Sequence, residues 1–359
     1  MSKIEVFLTL ARCNLQNDIK KFIFEAFGEN VEDCIEFITK ITKLPDKEDI
    51  NKEISQVMQN NCEFIDITNK NYPELLKNTD IAPIVLTIKG NKEMLNQYMF
   101  SVVGSREIEI EDIEIINDLV KNICNDFVIV SGLAKGTDAI AHFKSLKTGT
   151  IAILANGLSK CYPQENLFLL NKIIDNGGCV ISEYNFEKQP MQHTFLQRDK
   201  LIAGISFATL IMRAREHRCG TIATANYTRK YNRKLYSILP QNGRCEGNKW
   251  LLDNNYAKII DNIDDFKYQL YIDIANMQLE KDVMNCNNNQ LFEINAKKQI
   301  IKDKKYIKEC VDRTIKKQHI QFITIDNLIK TYNKIKVYYP ECDDILLKRI
   351  LVEMIKIEK

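Results

Sequence analysis

Between about residues 98 and 240, short and almost wholly apolar runs alternate with stretches of helical character, and few folds accept that rhythm. The runs are MFSVVG (99–104), FVIVSG (127–132), TIAILA (150–155), CVISE (179–183), ATLIM (208–212) and KLYSIL (234–239). Between them lie IEDIEIINDLVKNIC, DAIAHFKSL, ENLFLLNKIIDN, a shorter stretch near LQRDKLIAG, and TIATANYTRK. A strand apolar on both faces needs cover on both faces, and parallel neighbours need a crossover between them. The alternation therefore predicts an α/β domain with a doubly wound, mostly parallel sheet. Such sheets bind ligands beyond the carboxyl ends of their strands, near the point where strand order reverses.

Glycine marks those strand ends. The 359 residues include only 13 Gly, about half of a usual ~7% share, yet eleven of them fall between residues 104 and 247. The flanks read differently. Residues 1–62 form a small helical N-terminal domain, with LARCNLQNDIKKFIFEAF and VEDCIEFITKIT apolar at three- and four-residue spacings. A connector punctuated by Pro73 and Pro83 carries VLTI as a further strand. The sheet domain is expected over 63–275, a linker around MNCNNNQ over 276–294, and a helical C-terminal domain over 295–359.

Other classes fall away. No run of about 18 apolar residues exists, and the apolar part of MSKIEVFLTLARCNLQ is too short for a signal peptide, so a cytoplasmic protein is expected, with no membrane partner. Eleven Cys are scattered without a CxxC or a His at metal-ligand spacing, which reads as reduced thiols with no metal and no cofactor. The net charge of +2 hides an uneven distribution: residues 195–249 carry eleven Lys or Arg against Asp199, Glu216 and Glu246. A basic block in the glycine-rich region favours an anionic partner. The second block, KKQIIKDKKYIKECVDRTIKK (297–317), reads equally well as a solvated helix face.

Each strand end carries a distinctive loop. Gly104-Ser105-Arg106 offers close backbone approach and a bidentate guanidinium, without the GxGxxG of a dehydrogenase. SGLAKGTD, with Gly132, Lys135 and Gly136, is either an anion cradle or a tight strand-to-helix turn with Asp138 as its N-cap. NGLSKCYP precedes another helix. Phe195, Arg198 and Lys200 interleave an aromatic with cations, as base stacking and phosphate contact require. Gly220 and Thr221 open a helix after Cys219. Several cationic loops at one sheet edge suit a chain of phosphates better than one small molecule. Catalytic residues are not expected: the four His lie in no nucleophile motif, and GxSxG, Walker A and HExxH are absent. His142 reads as a satisfied structural residue, and Asp138 and Glu183 as capping or pairing carboxylates.

An ordered set of segments over residues 72–260 resembles the DNA-processing protein A family (DprA, also called Smf). The set comprises Tyr72-Pro73-Glu74-Leu75-Leu76, Val103-Gly104-Ser105-Arg106, SGLAKGTDAIAH, NGLSKCYPQEN, Ser182-Glu183-Tyr184, Phe195-x-x-Arg198, Ile202-Ala203-Gly204-Ile205-Ser206, GTIATA, Asn232-Arg233-Lys234 and GNKWLLDNNYAKII. The resemblance implies an extended Rossmann-like domain that binds single-stranded DNA and loads RecA recombinase onto it, notably in natural transformation. It also implies a homodimer without enzymatic activity. Arg106, Phe195 and Arg198 are then the best single-stranded DNA contacts, with Gly132, Gly136 and Lys200 shaping and charging the groove. It further implies a SAM-like or helix–hairpin–helix N-terminal domain and a winged-helix C-terminal module, with ITIDNLIKTYN and CDDILLKRILVEMIKI as two of its helices. Three positions depart from the pattern: Asp199 stands in place of Asn, Arg213 in place of Glu, and Gln241 in place of Gly. The first is expected to weaken a contact and the second to strengthen the positive field. Two rivals use the same cleft: an enzyme like the nucleotide phosphoribohydrolases, whose Pro-Gly-Gly-x-Gly-Thr is only echoed by Cys219-Gly220-Thr221, and a sensor of a small nucleotide.

Overall fold

The computed structural model describes residues 2–28, 30–277, 304–318, 320, 323, 327–340 and 342–355. The expected linker over 276–294 lies almost entirely outside the described residues, as do residues 297–303 of the second basic block. The chain divides into two compact units, Glu48–Gln269 and a second made of Met1–Lys47 with Leu270–Lys359.

In the second unit the chain's first helices, α1 (Lys3–Arg12), α2 (Asn17–Ala26) and α3 (Val31–Ile38), start from side-chain caps where the sequence provides them. Ser2 and Glu5 form a capping box, and Asn30 accepts from the Glu32 and Asp33 amides.

The sheet unit opens with α4 (Lys47–Gln59). The strands follow as β1 (Cys62–Asp66), β2 (Val85–Gly90), β3 (Met99–Val103), β4 (Val128–Ser131), β5 (Thr150–Ile153), β6 (Cys179–Ser182), β7 (Ala208–Ile211), β8 (Lys234–Ser237) and β9 (Lys258–Ile259). Their order is β1-β2-β6-β5-β4-β3-β7-β8-β9. From β6 to β9 every pairing is parallel, while β1–β2 and β2–β6 are antiparallel. All six apolar runs are central strands, and β3 to β7 are buried throughout, as strands covered on both faces must be. The two strands that the apolar pattern misses lie at the edges. β1 breaks its apolar Cys62, Phe64 and Ile65 with Glu63 and Asp66, and β9 is only the two exposed residues Lys258 and Ile259.

The helices of the unit are α5 (Glu74–Lys77), α6 (Ile110–Ile123), α7 (Thr137–Ser145), α8 (Leu167–Asp175), α9 (Gln192–Ile205), α10 (Gly220–Lys230) and α11 (Glu246–Asp253), with α12 over 263–277 leaving it. α6, α7 and α8 pack side by side in one layer, and α5, α9 and α10 in another. The layer changes where the chain crosses from β6 to β7, so strand order reverses between β3 and β7. That is the expected doubly wound Rossmann-like arrangement.

Several family-like segments prove to be structural. Tyr72 is buried and its hydroxyl donates to the Pro83 carbonyl at 2.7 Å. Asn248 of the GNKW segment accepts from the Ala214 amide at 2.7 Å and donates to the Met212 and Ile238 carbonyls, both at 3.1 Å. It thereby ties the ends of β7 and β8 together beside the reversal point.

The other unit is completed by α13 (Lys304–Lys317), α14 (Leu328–Tyr338) and α15 (Asp344–Glu353). Lys348 of α15 bridges Glu25 (2.9 Å) and Asp344 (2.7 Å), beneath the edge-to-face pair Phe22 and Tyr332. The N-terminal and C-terminal helices thus share one core. Among the described residues no helix is long and apolar enough to cross a membrane, and no three His, Cys, Asp or Glu gather as a metal site.

Candidate functional site

Two adjoining clefts open along the carboxyl edge of the sheet. The first, about 380 Å³, lies at the reversal point between the β3 and β7 loops. The second, about 540 Å³, lies over the β4 and β5 loops. Arg106, Ala134 and Arg198 line both, so the two clefts form one groove with these residues at its waist.

The loops that build the waist interlock through their backbones. The Ser105 carbonyl accepts from the Thr137 amide at 3.2 Å, and Gly136 has φ +74°. A Cβ there would come within 2.6 Å of the Ser105 and Arg106 carbonyl oxygens, so only glycine brings the two loops this close. The SGLAKGTD segment resolves as a tight turn, but Gly136 and not Asp138 holds the N-cap position of α7. Asp138 sits in the first turn of α7 and its Oδ2 accepts from the Gly132 amide (3.1 Å) and the Ala134 amide (3.3 Å). Those two amides are therefore spent inside the protein. The space above Gly132 is filled by Arg198, since a Cβ there would lie 1.4 Å from Nη1.

Arg198 is itself a scaffold piece. It is 5% exposed, donates to the Gly132 carbonyl, and lies 3.0 Å from Asp199 Oδ1 and 4.0 Å from Asp138 Oδ2. Burial raises the pKa of both carboxylates, with the Arg198 charge opposing it. Asp199 is thus an ion-pair partner of the buried Arg198 guanidinium, nearest to it at Nε. Arg106 has the opposite character: it is exposed, with its guanidinium 5.5 Å from the Phe195 ring centroid. Phe195 is half-buried, with Arg198 6.0 Å away and Tyr162 at 5.5 Å between centroids. Tyr162, 42% exposed, is the site residue that sequence reasoning left out, although NGLSKCYP had placed it on the right loop. The groove wall is thus a cation–aromatic row, Arg106, Phe195 and Tyr162, on a base formed by Arg198.

The remaining expected residues divide. Lys135 stands on the rim of the second cleft, paired with Glu165 at 2.6 Å. Gly104, Ser105, Gly220 and Thr221 line the first cleft. Lys200 lines neither; its ammonium lies 5.3 Å over Tyr227. His142 is fully buried with Nδ1 2.8 Å from Thr150 Oγ1, and burial, then the Arg198 charge, push its pKa down to about 3. It is a neutral structural group.

The expected gain in positive field from Arg213 does not arise. Arg213 is wholly buried and forms a bidentate pair with Asp112 (2.6 and 2.8 Å), and it donates to the Asn242 carbonyl at 2.6 Å. Its charge is neutralised where it stands. Two further cations of the basic segment are paired: Arg215 with Glu107 and Lys230 with Asp80. The acids come from earlier in the chain. Local charge then separates the two clefts. Four cations face Asp138, Asp199 and Glu216 in the first, whereas Arg106, Lys135, Lys160 and Arg198 face only Glu165 in the second. The second cleft is the stronger attractor of anions.

Comparison with known proteins gives a consistent picture. Residues 63–271, more than half of the chain, match the family model described as DNA recombination-mediator protein A. DNA processing protein DprA of Streptococcus pneumoniae is 34% identical over 169 residues, and that of Bacillus subtilis 32% over 178. The alignments cover 46% and 48% of this chain and span 59% of the length of each relative. Among solved structures, DprA from S. pneumoniae superposes with a TM-score of 0.62 at 27% identity, covering 73% of this chain and 95% of that one. DNA processing protein A from Helicobacter pylori, a structure concerned with that protein's single-stranded DNA binding mode, gives 0.55 at 26%, covering 59% and 96%.

Proposed function

The chain belongs to the DNA recombination-mediator protein A family, and on that premise we propose that the groove binds single-stranded DNA. The observation that carries the reading is the Arg106–Phe195–Tyr162 row at the junction of the two clefts. Every base has a face that stacks on an aromatic ring, and a strand threaded along such a row presents its phosphates to flanking cations. In this reading Phe195 and Tyr162 hold bases, and Arg106 and Lys135 meet phosphates. Arg198, Gly132 and Gly136 fix the loops, while Gly104, Ser105, Gly220 and Thr221 line the path toward the reversal point. Lys200 would contribute long-range charge only.

Bound this way, the protein is a non-enzymatic mediator. It protects single strands in the cytoplasm and, as a homodimer, loads RecA recombinase onto them, including during natural transformation. Family membership supports these further parts. Fluorescence anisotropy of a labelled oligonucleotide over a salt series tests the core of the proposal. Arg106→Ala should flatten the dependence of log K on log salt by about 0.7, the contribution of one phosphate contact on a single strand. Phe195→Ala should weaken binding about tenfold or more, the loss expected for one stacked base. Wild-type curves for both variants would show that the strand lies elsewhere. RecA loading is read separately, as faster filament assembly on strands already coated by a single-strand binding protein.

A further inference from the structure

Asp199 puts a negative charge in the path proposed for the strand. It lines the first cleft together with Gly104, Ser105, Gly220 and Thr221, and its side chain is 14% exposed. Its Oδ1 lies 3.0 Å from Arg198 Nε. Its Oδ2 faces the start of α10, since a Cβ on Gly220 would lie 3.4 Å from it. That helix of 11 residues begins without a side-chain cap, and a helix start carries partial positive charge. The carboxylate thus occupies ground that suits a phosphate.

The charges around Asp199 come from four elements. On α9 itself the near cation is Arg198, while Lys200 lies over Tyr227. From α7 comes Asp138, 4.0 Å from Arg198 Nη1, so two carboxylates share one guanidinium. The β3–α6 loop brings Arg106. The segment from β7 to α10 brings Arg213, Arg215, Glu216 and Cys219, of which Arg213 pairs with Asp112 and Arg215 with Glu107. His142, with a pKa of about 3, stays neutral. Asp138 accepts from the Gly132 and Ala134 amides, which favour its ionised form. Asp199 has no amide donor among the described residues. Burial raises its pKa, the Arg198 charge opposes this, and Asp138 raises it further. Of the two carboxylates, Asp199 is therefore the one more readily protonated.

We propose that Asp199 makes strand binding proton-linked: a phosphate entering the first cleft draws a proton from solvent onto this carboxylate, so the strand binds more tightly as pH falls. The inference rests on the groove being the single-stranded DNA site. The phosphate is a like charge, so the bound protein holds the Asp199 proton to a higher pH than the free one. Between those two pKa values affinity falls by up to about tenfold per pH unit as pH rises, and above them it is flat.

The test measures oligothymidylate binding to the full chain between about pH 4.5 and 7.5 at constant salt, because thymine takes up no proton there. Wild-type affinity should fall at least about tenfold across the range. Asp199→Asn, isosteric and uncharged, should abolish that step and bind at neutral pH at least about tenfold more tightly than wild type. Glu216→Gln, which removes an exposed carboxylate of the same cleft, should keep the step. Calorimetry of the wild type in two buffers of different ionisation enthalpy should show a proton taken up with the strand, a reading that needs no variant to fold. Wild-type affinity flat with pH, or no proton uptake, overturns the proposal. So does a step that survives in Asp199→Asn or vanishes in Glu216→Gln. Arg106→Ala and Phe195→Ala at neutral pH separate the two readings. If both bind like wild type, the groove reading fails; if both weaken and no pH step exists, only the proton link fails.

Discussion

Removing the cation of the Arg213–Asp112 pair separates a structural from an electrostatic role for Arg213. Both side chains are wholly buried, and the pair is bidentate at 2.6 and 2.8 Å. In Arg213→Met, Asp112 keeps one donor, the Glu109 amide at 2.9 Å, but has lost its counter-charge without access to water. Breaking one side of a buried pair costs about 3–5 kcal/mol. For a unit of this size each kcal/mol lowers the melting temperature by about 2–4 °C, so the expected drop is roughly 6–20 °C. Trp250 is the only tryptophan and belongs to the sheet unit, so its fluorescence follows this transition selectively. Arg213→Met/Asp112→Leu removes both charges, and should return to within about 2 kcal/mol of wild type because an apolar pair of similar volume replaces a costly buried one. The Asn242 and Arg244 carbonyls that lose a donor lie in an exposed segment, where water replaces it. The double variant should also keep the wild-type salt slope for oligonucleotide binding, since the charge it removes was already neutralised. A loss below about 1 kcal/mol in the single variant, or a double variant as unstable as the single one, refutes the structural argument. A salt slope flattened by about 0.7 in the double variant would restore Arg213 as a phosphate-field residue.

Further outcomes follow from the same geometry. Gly132→Ala places a methyl 1.4 Å from Arg198 Nη1. It should cost at least about 2 kcal/mol in urea unfolding, through overpacking and a displaced counter-charge; a loss under about 0.5 kcal/mol would mean the loop absorbs it. His142 is held neutral, with a folded pKa of about 3 against an ordinary 6.5. The unfolded chain therefore takes up a proton first, and stability falls with decreasing pH from about 6.5. Between about pH 6 and 4 the loss from this group is about 1.4 kcal/mol per unit. Asp138 and Asp199, with raised pKa values, act in the opposite sense. The quantity to measure is therefore the wild type minus His142→Asn difference, and a difference flat with pH would contradict the assignment. Tyr162→Ala should weaken oligonucleotide binding about tenfold while Tyr162→Phe leaves it unchanged, and equal affinities for the two variants would remove Tyr162 from the groove wall.

The sheet was largely legible because its central strands are buried on both faces, which leaves an unbroken apolar run in the sequence for each of them. β1 and β9 were hidden for the complementary reason, since edge strands need no such run. The groove residues were legible as loops at strand ends, but that Arg106 and Phe195 meet was not, since the β4 and β5 loops lie between them. What a one-dimensional reading missed was direction and partnership. Arg198 and Lys200 are two residues apart on one helix, hence about 200° apart around its axis, and they cannot face the same groove. Arg213 resembled a free cation because its partner Asp112 is 101 residues away. The glycines were read as places where backbone comes close to a phosphate. At Gly132 and Gly136, what approaches is another part of the same chain.

The placement of the acids that pair with Arg198, Arg213, Arg215 and Lys230 has a consequence for biosynthesis. Asp80, Glu107, Asp112 and Asp138 all precede the segment they balance. A ribosome releases the anionic half first, and the cationic half then emerges next to a ready counterpart. A fragment beginning after Asp138 would lack those counterparts. It would leave the translation machinery as an unneutralised polycation amid messenger and ribosomal RNA, and non-specific adhesion to those polymers would compete with its folding.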